Sequence, residues 1–330
     1  VTQVTDRFRV LATTPLHPDA EALLRGQCDY VVAADTRPET LKAEVANADA
    51  LIVRIKLPDD IFDGATRLRV CIRHGVGLDF VPVEAATRAG IVVGNLLSAN
   101  TQAVVEHVVG CVILLARDLH ELAIDFSRNG WAARNRHAGM ELAGKTLGIV
   151  GCGRIGSGVA NALHAAFGMR VLGYNRTPLD PHGIIEQMPL DEIFARADVV
   201  SLNIASTLET RGLVDARRLG LMKPGAFLIN ASRGDLIDDH ALIDALHAGQ
   251  IGGAALDVFE PEPLGDDHPF RTTPRLFLTP HTGGGTEESS RRMSMESAED
   301  ALRVLRGERP SHLVNPEIWD DYLRRGELLK

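Results

Sequence analysis

The sequence predicts an α/β protein built as two doubly wound parallel-sheet domains. Three observations carry that reading. The chain has 330 residues, beyond the size at which one hydrophobic core usually stops growing. Short apolar runs alternate with helical patterns in two separate series, the pattern of strand–helix–strand units. The second series opens on a glycine-rich turn, Gly151-Cys152-Gly153-Arg154-Ile155-Gly156, set between a strand and a helix.

In the first series, residues 8–12, 30–33, 50–53, 68–72 and 91–93 are short apolar runs and read as buried parallel strands. Helices are expected between them at 19–25, 38–47, 59–62 and 83–89. A long helix over 101–117 and a polar stretch over 125–144, which has no strand signal, separate the two series. In the second, strands are expected at 146–150, 170–174, 199–204, 226–230, 253–257 and 276–279, with helices at 154–167, 239–248 and 287–306. The tail after Gly307 has no sheet of its own. It is expected to return to the first domain, which makes that domain discontinuous. The expected boundaries are 1–100 with 291–330 for one domain and 101–290 for the other.

Composition narrows the function classes. Aromatic residues are only 5% of the chain, so the cores must be aliphatic. The net charge of -9 argues against a nucleic-acid backbone as partner. Cys28, Cys71, Cys111 and Cys152 are scattered, with no CxxC pair and no zinc spacing. No metal site is expected, and the cysteines read as small apolar residues of a reducing compartment. The first ten residues, VTQVTDRFRV, hold no apolar signal core, and the longest apolar run, 108–116, is too short to span a bilayer. A cytoplasmic protein without a membrane partner is expected.

The glycine string follows the apolar strand TLGIV and opens an Ala-rich helix, the context a dinucleotide-binding Rossmann turn requires. Gly151 permits the tight turn, Gly153 lets backbone approach a pyrophosphate, and Gly156 lets helix and strand pack closely. The amides of Arg154 and Ile155 lie at the helix start, where free N–H groups and the positive dipole end favour phosphate. The plainer account is an ordinary glycine turn. The next strand ends at Asn175-Arg176-Thr177, where an NAD enzyme usually places a carboxylate against the ribose 2′-hydroxyl. A neutral Asn and a cationic Arg suit a 2′-phosphate better. NADP(H) is therefore the expected cofactor, with NAD(H) the alternative. In the plainer account Arg176 is a solvated surface residue.

Three polar residues stand just after three apolar runs: Arg233 in NASRGD, Glu262 in EPEP and His281 in TPHTGG. Ligands of open α/β sheets gather at the carboxyl ends of the strands. A guanidinium can hold the carboxylate and carbonyl of a 2-keto acid together. Reduction builds negative charge on the carbonyl oxygen, and a histidine can supply the proton near neutral pH. A carboxylate on the other ring nitrogen fixes the tautomer and favours the protonated ring. Asp257, at its strand end, is a candidate partner for the nicotinamide carboxamide. Singly, each of the three has a plainer account as a helix-end, acidic-loop or turn residue.

With these strings in place, the sequence resembles the D-isomer-specific 2-hydroxyacid dehydrogenase family, which includes glyoxylate/hydroxypyruvate reductases and 3-phosphoglycerate dehydrogenases. The resemblance runs through GVGLD at 75–79, VVEH at 104–107, GCGRIG, LMKPGAFLINASRGDLID at 221–238, ALDVFEPEP at 255–263 and LTPHTGG at 278–284. It implies a discontinuous flavodoxin-like substrate domain and a Rossmann domain, with the active site in the cleft between them. It implies Arg233 as substrate clamp, His281 as acid/base and Glu262 as its partner. Backbone amides near Val76 and Gly77 would bind the substrate carboxylate, and Arg54 would face the substrate. A homodimer with the 117–144 segment at its interface is also implied. Two places depart from the usual pattern. Ala205-Ser206 stand where the family usually has Pro-Leu, and Leu97-Ser98 replace a common Pro-Gly after Asn95.

The reaction expected is hydride transfer between NAD(P)H and a small 2-keto acid, of the glyoxylate/hydroxypyruvate type. Arg54, Lys56, Arg73 and His74 cluster at expected strand ends, so a larger anionic substrate such as 3-phosphoglycerate is the alternative. An S-adenosylhomocysteine hydrolase would need a longer chain and a different catalytic set. A non-enzymatic NAD(H)-sensing co-repressor would need no turnover, which separates it by assay.

Overall fold

The computed structural model describes residues 7–327. The chain divides into two compact units, 1–100 with 285–330 and 101–284.

The first unit holds a five-stranded sheet of β1 (Arg9–Ala12), β2 (Asp29–Val32), β3 (Ala50–Val53), β4 (Val70–Arg73) and β5 (Val92–Asn95). Its order is β2-β1-β3-β4-β5 and every pairing is parallel, the flavodoxin-like arrangement. Alternate strand residues feed two cores. Val10, Ala50, Ile52, Val70 and Ile72 face one side, with Leu24 of α1 (Pro18–Gln27). Leu11, Leu51, Val53 and Cys71 face the other, with Leu41 and Val45 of α2 (Pro38–Val45) and Ala86 of α3 (Val83–Arg88).

Residues 59–62, expected as a helix, instead form successive turns. Ile61 donates to the Pro58 carbonyl at 3.2 Å and Asp63 to the Asp60 carbonyl at 3.1 Å. A helical nucleus is costly, and Ile61 and Phe62 reach the core without one.

The second unit begins with α4 (Thr101–Ala116) and α5 (Leu119–Asn129), followed by a short 3₁₀ turn (Gly130–Asn135). Its sheet comprises β6 (Thr146–Val150), β7 (Arg170–Tyr174), β8 (Ile185–Gln187), β9 (Val199–Leu202), β10 (Phe227–Asn230), β11 (Gly253–Leu256) and β12 (Leu276–Leu278). The order is β12-β11-β10-β9-β6-β7-β8, again all parallel. Counted from β6, this is the Rossmann order with one strand added. α4 and α6 (Arg154–Phe167) cover one face, burying Val108, Val112, Val159 and Leu163. α7 (Leu190–Arg196), α8 (Ala216–Leu221) and α9 (Asp239–His247) cover the other.

α10 (Glu287–Leu305) returns the chain to the first unit, capped by Thr286, whose hydroxyl accepts from the Ser289 amide at 3.1 Å. The boundary therefore falls at 284/285 rather than the expected 290/291, because α10 packs on α1, β3, β4 and β5 of the first unit. The tail then pairs Leu313 against Gly94 and buries Trp319 and Tyr322 of α11 (Trp319–Glu327) in the first-unit core.

Candidate active site

In the second unit, β10, β11 and β12 are neighbours, and the loops after them carry Arg233, Glu262 and His281 in turn. His281 Nδ1 lies 2.7 Å from Glu262 Oε2. The second Glu262 oxygen, Oε1, accepts from the Phe259 amide at 3.0 Å. Burial raises the cost of the Glu262 charge. The His281 hydrogen bond and charge, the Phe259 amide and the charge of Arg233 outweigh it and hold this carboxyl below its usual range.

Gly234 brings the Arg233 loop against the Glu262 loop. A Cβ there would overlap the backbone of Phe259, so only glycine permits the approach. The Arg233 backbone is fixed by Asn230 Nδ2, which donates to its carbonyl at 2.8 Å. The Arg233 side chain is half-buried and donates from NH1 to the Ser232 carbonyl at 2.6 Å.

Asp257 is buried, and three donors meet its carboxylate. Thr279 Oγ1 and the Thr282 amide reach Oδ1 at 2.6 and 2.8 Å, and the Gly283 amide reaches Oδ2 at 2.7 Å. Its visible work is thus to hold the 279–283 loop that carries His281, a role the sequence reading missed.

The glycine loop follows β6 closely. Gly151 has φ +95, and a Cβ there would strike the Asn203 carbonyl at 2.5 Å. A Cβ on Gly156 would overlap the Gly151 carbonyl oxygen, whereas one on Gly153 meets nothing within 4 Å. No side chain caps α6, so its first amides, Arg154 and Ile155 among them, remain for an anion. An open face at Gly153 beside an uncapped 14-residue helix fits a dinucleotide pyrophosphate.

At the end of β7, Asn175 ties this loop to the next. Its Oδ1 accepts from the Cys152 amide at 3.3 Å, and its Nδ2 donates to Thr177 Oγ1 at 2.9 Å and the Thr177 carbonyl at 3.1 Å. Arg176 is exposed.

In the first unit, the 75–77 loop has its carbonyls drawn to one side. Gly75 O accepts from the Leu96 amide at 3.1 Å and Val76 O from Asn95 Nδ2 at 2.6 Å. In trans peptides the next N–H points the opposite way, so the Val76 and Gly77 amides share one side. Arg73 braces this loop, donating to the carbonyls of Val53, His74 and Gly77 at 3.1, 2.8 and 3.1 Å and lying 4.4 Å over the Phe80 ring. His74 is buried against Ser294 Oγ at 3.0 Å. Burial first, then the charges of Arg54 and Arg73, push its pKa down to about 3. Arg54 donates to the Pro15 carbonyl, and Lys56 is exposed. Of the four basic residues expected to gather a second anion, Arg73 is committed to the backbone and His74 is neutral.

A Rossmann sheet with an uncapped glycine turn at its switch point defines a dinucleotide-binding fold. Residues 109–283 match the NAD binding domain of the D-isomer specific 2-hydroxyacid dehydrogenases, and the chain belongs to that family. It is 38% identical over 327 residues to a glyoxylate reductase of Aeropyrum pernix, covering 94% of this chain and 97% of the relative. It is 39% identical over 315 residues to a D-3-phosphoglycerate dehydrogenase of Methanocaldococcus jannaschii, covering 93% of this chain but 59% of that relative. The chain thus spans about three fifths of the length of that relative. Among solved structures, a Thermus thermophilus protein matches with a TM-score of 0.86 and 37% identity, over 93% of this chain and 100% of that one. An NADPH-dependent glyoxylate/hydroxypyruvate reductase of Sinorhizobium meliloti, in complex with NADP and malonate, matches at TM-score 0.85 and 28% identity, over 94% and 98%. No helix of the described residues is long and apolar enough to cross a membrane.

Proposed function

We propose that the chain interconverts a small 2-keto acid and its D-2-hydroxy acid, of the glyoxylate/hydroxypyruvate kind, using NAD(P)(H). The observation that carries this reading is the 2.7 Å Glu262–His281 pair, with the Arg233 charge close enough to act on Glu262. A bound nicotinamide supplies or accepts the hydride. The remaining work falls to side chains.

The Arg233 fork donates to the substrate carboxylate and carbonyl oxygen, fixing the carbonyl carbon. In the first unit, the Val76 and Gly77 amides and the unused donors of Arg54 are the proposed carboxylate contacts. Because Nδ1 of His281 faces Glu262, the proton to be given sits on Nε2. It goes to the carbonyl oxygen as negative charge develops there. Glu262, held ionised, stabilises the protonated ring before that transfer. In the oxidative direction neutral His281 takes the hydroxyl proton.

Arg154, Ile155 and the three glycines are the proposed pyrophosphate contacts. Asp257 is the proposed partner of the nicotinamide carboxamide, alongside its hold on the 279–283 loop. NADP(H) is the preferred cofactor in this reading, NAD(H) the alternative. Thr177 Oγ1 accepts from Asn175, which leaves its own O–H to donate to a 2′-phosphate beside Arg176. A larger anionic acid is the second reading, favoured by the similarity to the phosphoglycerate enzyme. The committed Arg73 and neutral His74 favour the smaller substrate. A homodimer and a cytoplasmic location complete the proposal. The four free cysteines support a reducing compartment.

A panel of glyoxylate, hydroxypyruvate and 3-phosphohydroxypyruvate, each assayed with NADPH and NADH, tests the reading. Highest kcat/KM for one of the first two is expected. Preference for the phosphorylated acid transfers the chain to the second reading, and no turnover of any of them rejects both.

A further inference from the structure

The turn that bears Arg233 is fastened at one end to the last residue of β9 and at the other to the loop that follows it. Before it, Ser232 Oγ donates to the Leu202 carbonyl at 2.9 Å. After it, Ser206 Oγ donates to Asp235 Oδ2 at 2.5 Å. The same region is stitched by backbone: the Gly212 amide donates to the Asp235 carbonyl at 2.8 Å and the Val214 amide to the Leu236 carbonyl at 2.8 Å. Arg233 is therefore carried between two fastenings, at Leu202 of β9 and at Ser206 of the loop after it.

The second fastening depends on two side chains, Ser206 and Asp235. Ser206 stands in one of the two positions where the sequence departs from the family pattern, and a leucine there could not donate. Both donors to the Asp235 carboxylate fall on Oδ2, since Arg211 Nε also reaches it, at 3.1 Å. The other oxygen, Oδ1, is buried with no hydrogen-bond partner among the described residues. Arg211 is 65% exposed while Asp235 is 17% exposed, so solvent screens the arginine more than the serine hydroxyl. Losing Ser206 would leave a largely buried carboxylate under-satisfied. The loop that offers Ser206 also forms the wall against which Gly151 packs, at Asn203 and Ile204.

We propose that Ser206 and Asp235 form a latch that positions Arg233 for the 2-keto acid, making both of them positioning residues. The functional half of this inference rests on the proposed dehydrogenase activity. The latch itself does not, and the two are read separately.

Hydrogen exchange over residues 203–214 and 232–238 reads the latch without turnover. Ser206→Ala is expected to speed exchange in both segments, and Ser206→Thr, which keeps the hydroxyl, to restore it. Unchanged exchange in Ser206→Ala overturns the latch, whatever the protein's reaction. Steady-state kinetics with glyoxylate and saturating NADPH then read its purpose. Ser206→Ala is expected to raise KM for glyoxylate about fivefold or more, with the NADPH dissociation constant within about twofold of wild type and rescue by Ser206→Thr. Asp235→Ala is expected to match it, and the double variant to lose no more than the worse single one. Ser206→Ala and its rescue carry the test alone should Asp235→Ala fail to fold. Faster exchange with an unchanged KM, or with equal weakening of glyoxylate and NADPH, would show a merely structural bond and overturn the positioning role. A wild type inert toward every 2-keto acid overturns the reaction and leaves the exchange result standing.

Discussion

At His281 the backbone enters the left-handed region, φ +52, where a non-glycine residue costs about 1–3 kcal/mol unless its surroundings hold it. Two bonds from its amide hold it, to the Asp257 carbonyl at 2.7 Å and the Thr279 carbonyl at 3.0 Å. The string TPHTGG revealed the residue type and its place after a strand. It could not reveal this conformation, because that depends on Asp257, which follows a different strand, β11. Arg233, Glu262 and the glycines were legible for the same reason as His281: their chemistry is local to a motif. Ser206 and Asp235 were not, since neither means anything until the fold brings them together. Two residue-level outcomes follow from the site. Arg233→Lys keeps the charge but loses the fork, and kcat/KM for the keto acid should fall about tenfold or more, a loss of at least about 1.4 kcal/mol. Near-normal kinetics would remove Arg233 from the substrate. Arg176→Ala should cut the NADPH-to-NADH ratio of kcat/KM by about tenfold, the value of one charge-assisted bond of about 1.5 kcal/mol. It is a cleaner probe than Asn175→Asp, which would set a carboxylate against the Thr177 carbonyl. A wild type that prefers NADH, or a ratio untouched by the change, contradicts the 2′-phosphate assignment.

Among the elements, α5 was hidden by its low hydrophobicity and by having no buried residue. The 117–144 segment, implied above as a subunit interface, carries Phe126, Trp131 and Met140. The structure separates them: Met140 packs into its own unit's core, while Phe126 is 55% and Trp131 75% exposed. Leu119, also exposed, and Phe126 lie two turns apart on one α5 face. In the proposed homodimer a two-fold copy would cover this face. Phe126→Asp with Trp131→Ala should turn a sedimenting dimer into a monomer at micromolar concentration. A wild-type monomer rejects the dimer. The segment has its own clasp, for His137 Nδ1 meets Asp118 Oδ2 at 2.5 Å and Nε2 meets Asp125 Oδ2 at 3.1 Å, with Arg136 also on Asp125. The Asp118 bond foremost, aided by Asp125 and opposed by burial, raises the His137 pKa above its model-peptide value of 6.5. A raised folded pKa stabilises below the unfolded value and is lost as pH rises through the folded one. Exchange over residues 119–135 should therefore step up across that window beyond its intrinsic pH dependence. The step should vanish in His137→Gln, and a wild type without it contradicts the clasp.

For the whole molecule, the alternation of apolar runs with helical patterns was enough to read two doubly wound sheets, because buried parallel strands are written as short aliphatic runs. β8 escaped, being a three-residue edge strand, half-buried at best, whose IEQ has no such run. α7 and α8, at seven and six residues, are too short for periodicity to speak. The first-unit strands and the returning tail were legible in outline. The bracing of the 75–77 loop by Arg73 was not, and that bracing turns an apparent anion cluster into scaffolding. In the proposed reaction Glu262 holds Nδ1 of His281, and the ring delivers its Nε2 proton to a 2-keto acid. The pH profile of kcat/KM for glyoxylate reduction, in wild type and in Glu262→Gln, tests that most directly. Reduction should fall as pH rises and the reverse reaction should gain, since one needs the protonated ring and the other the neutral one. Removing the Glu262 charge should move the fall to lower pH, and His281→Asn should abolish the profile along with most of the rate. A profile of wild-type shape and midpoint in both variants would contradict the account.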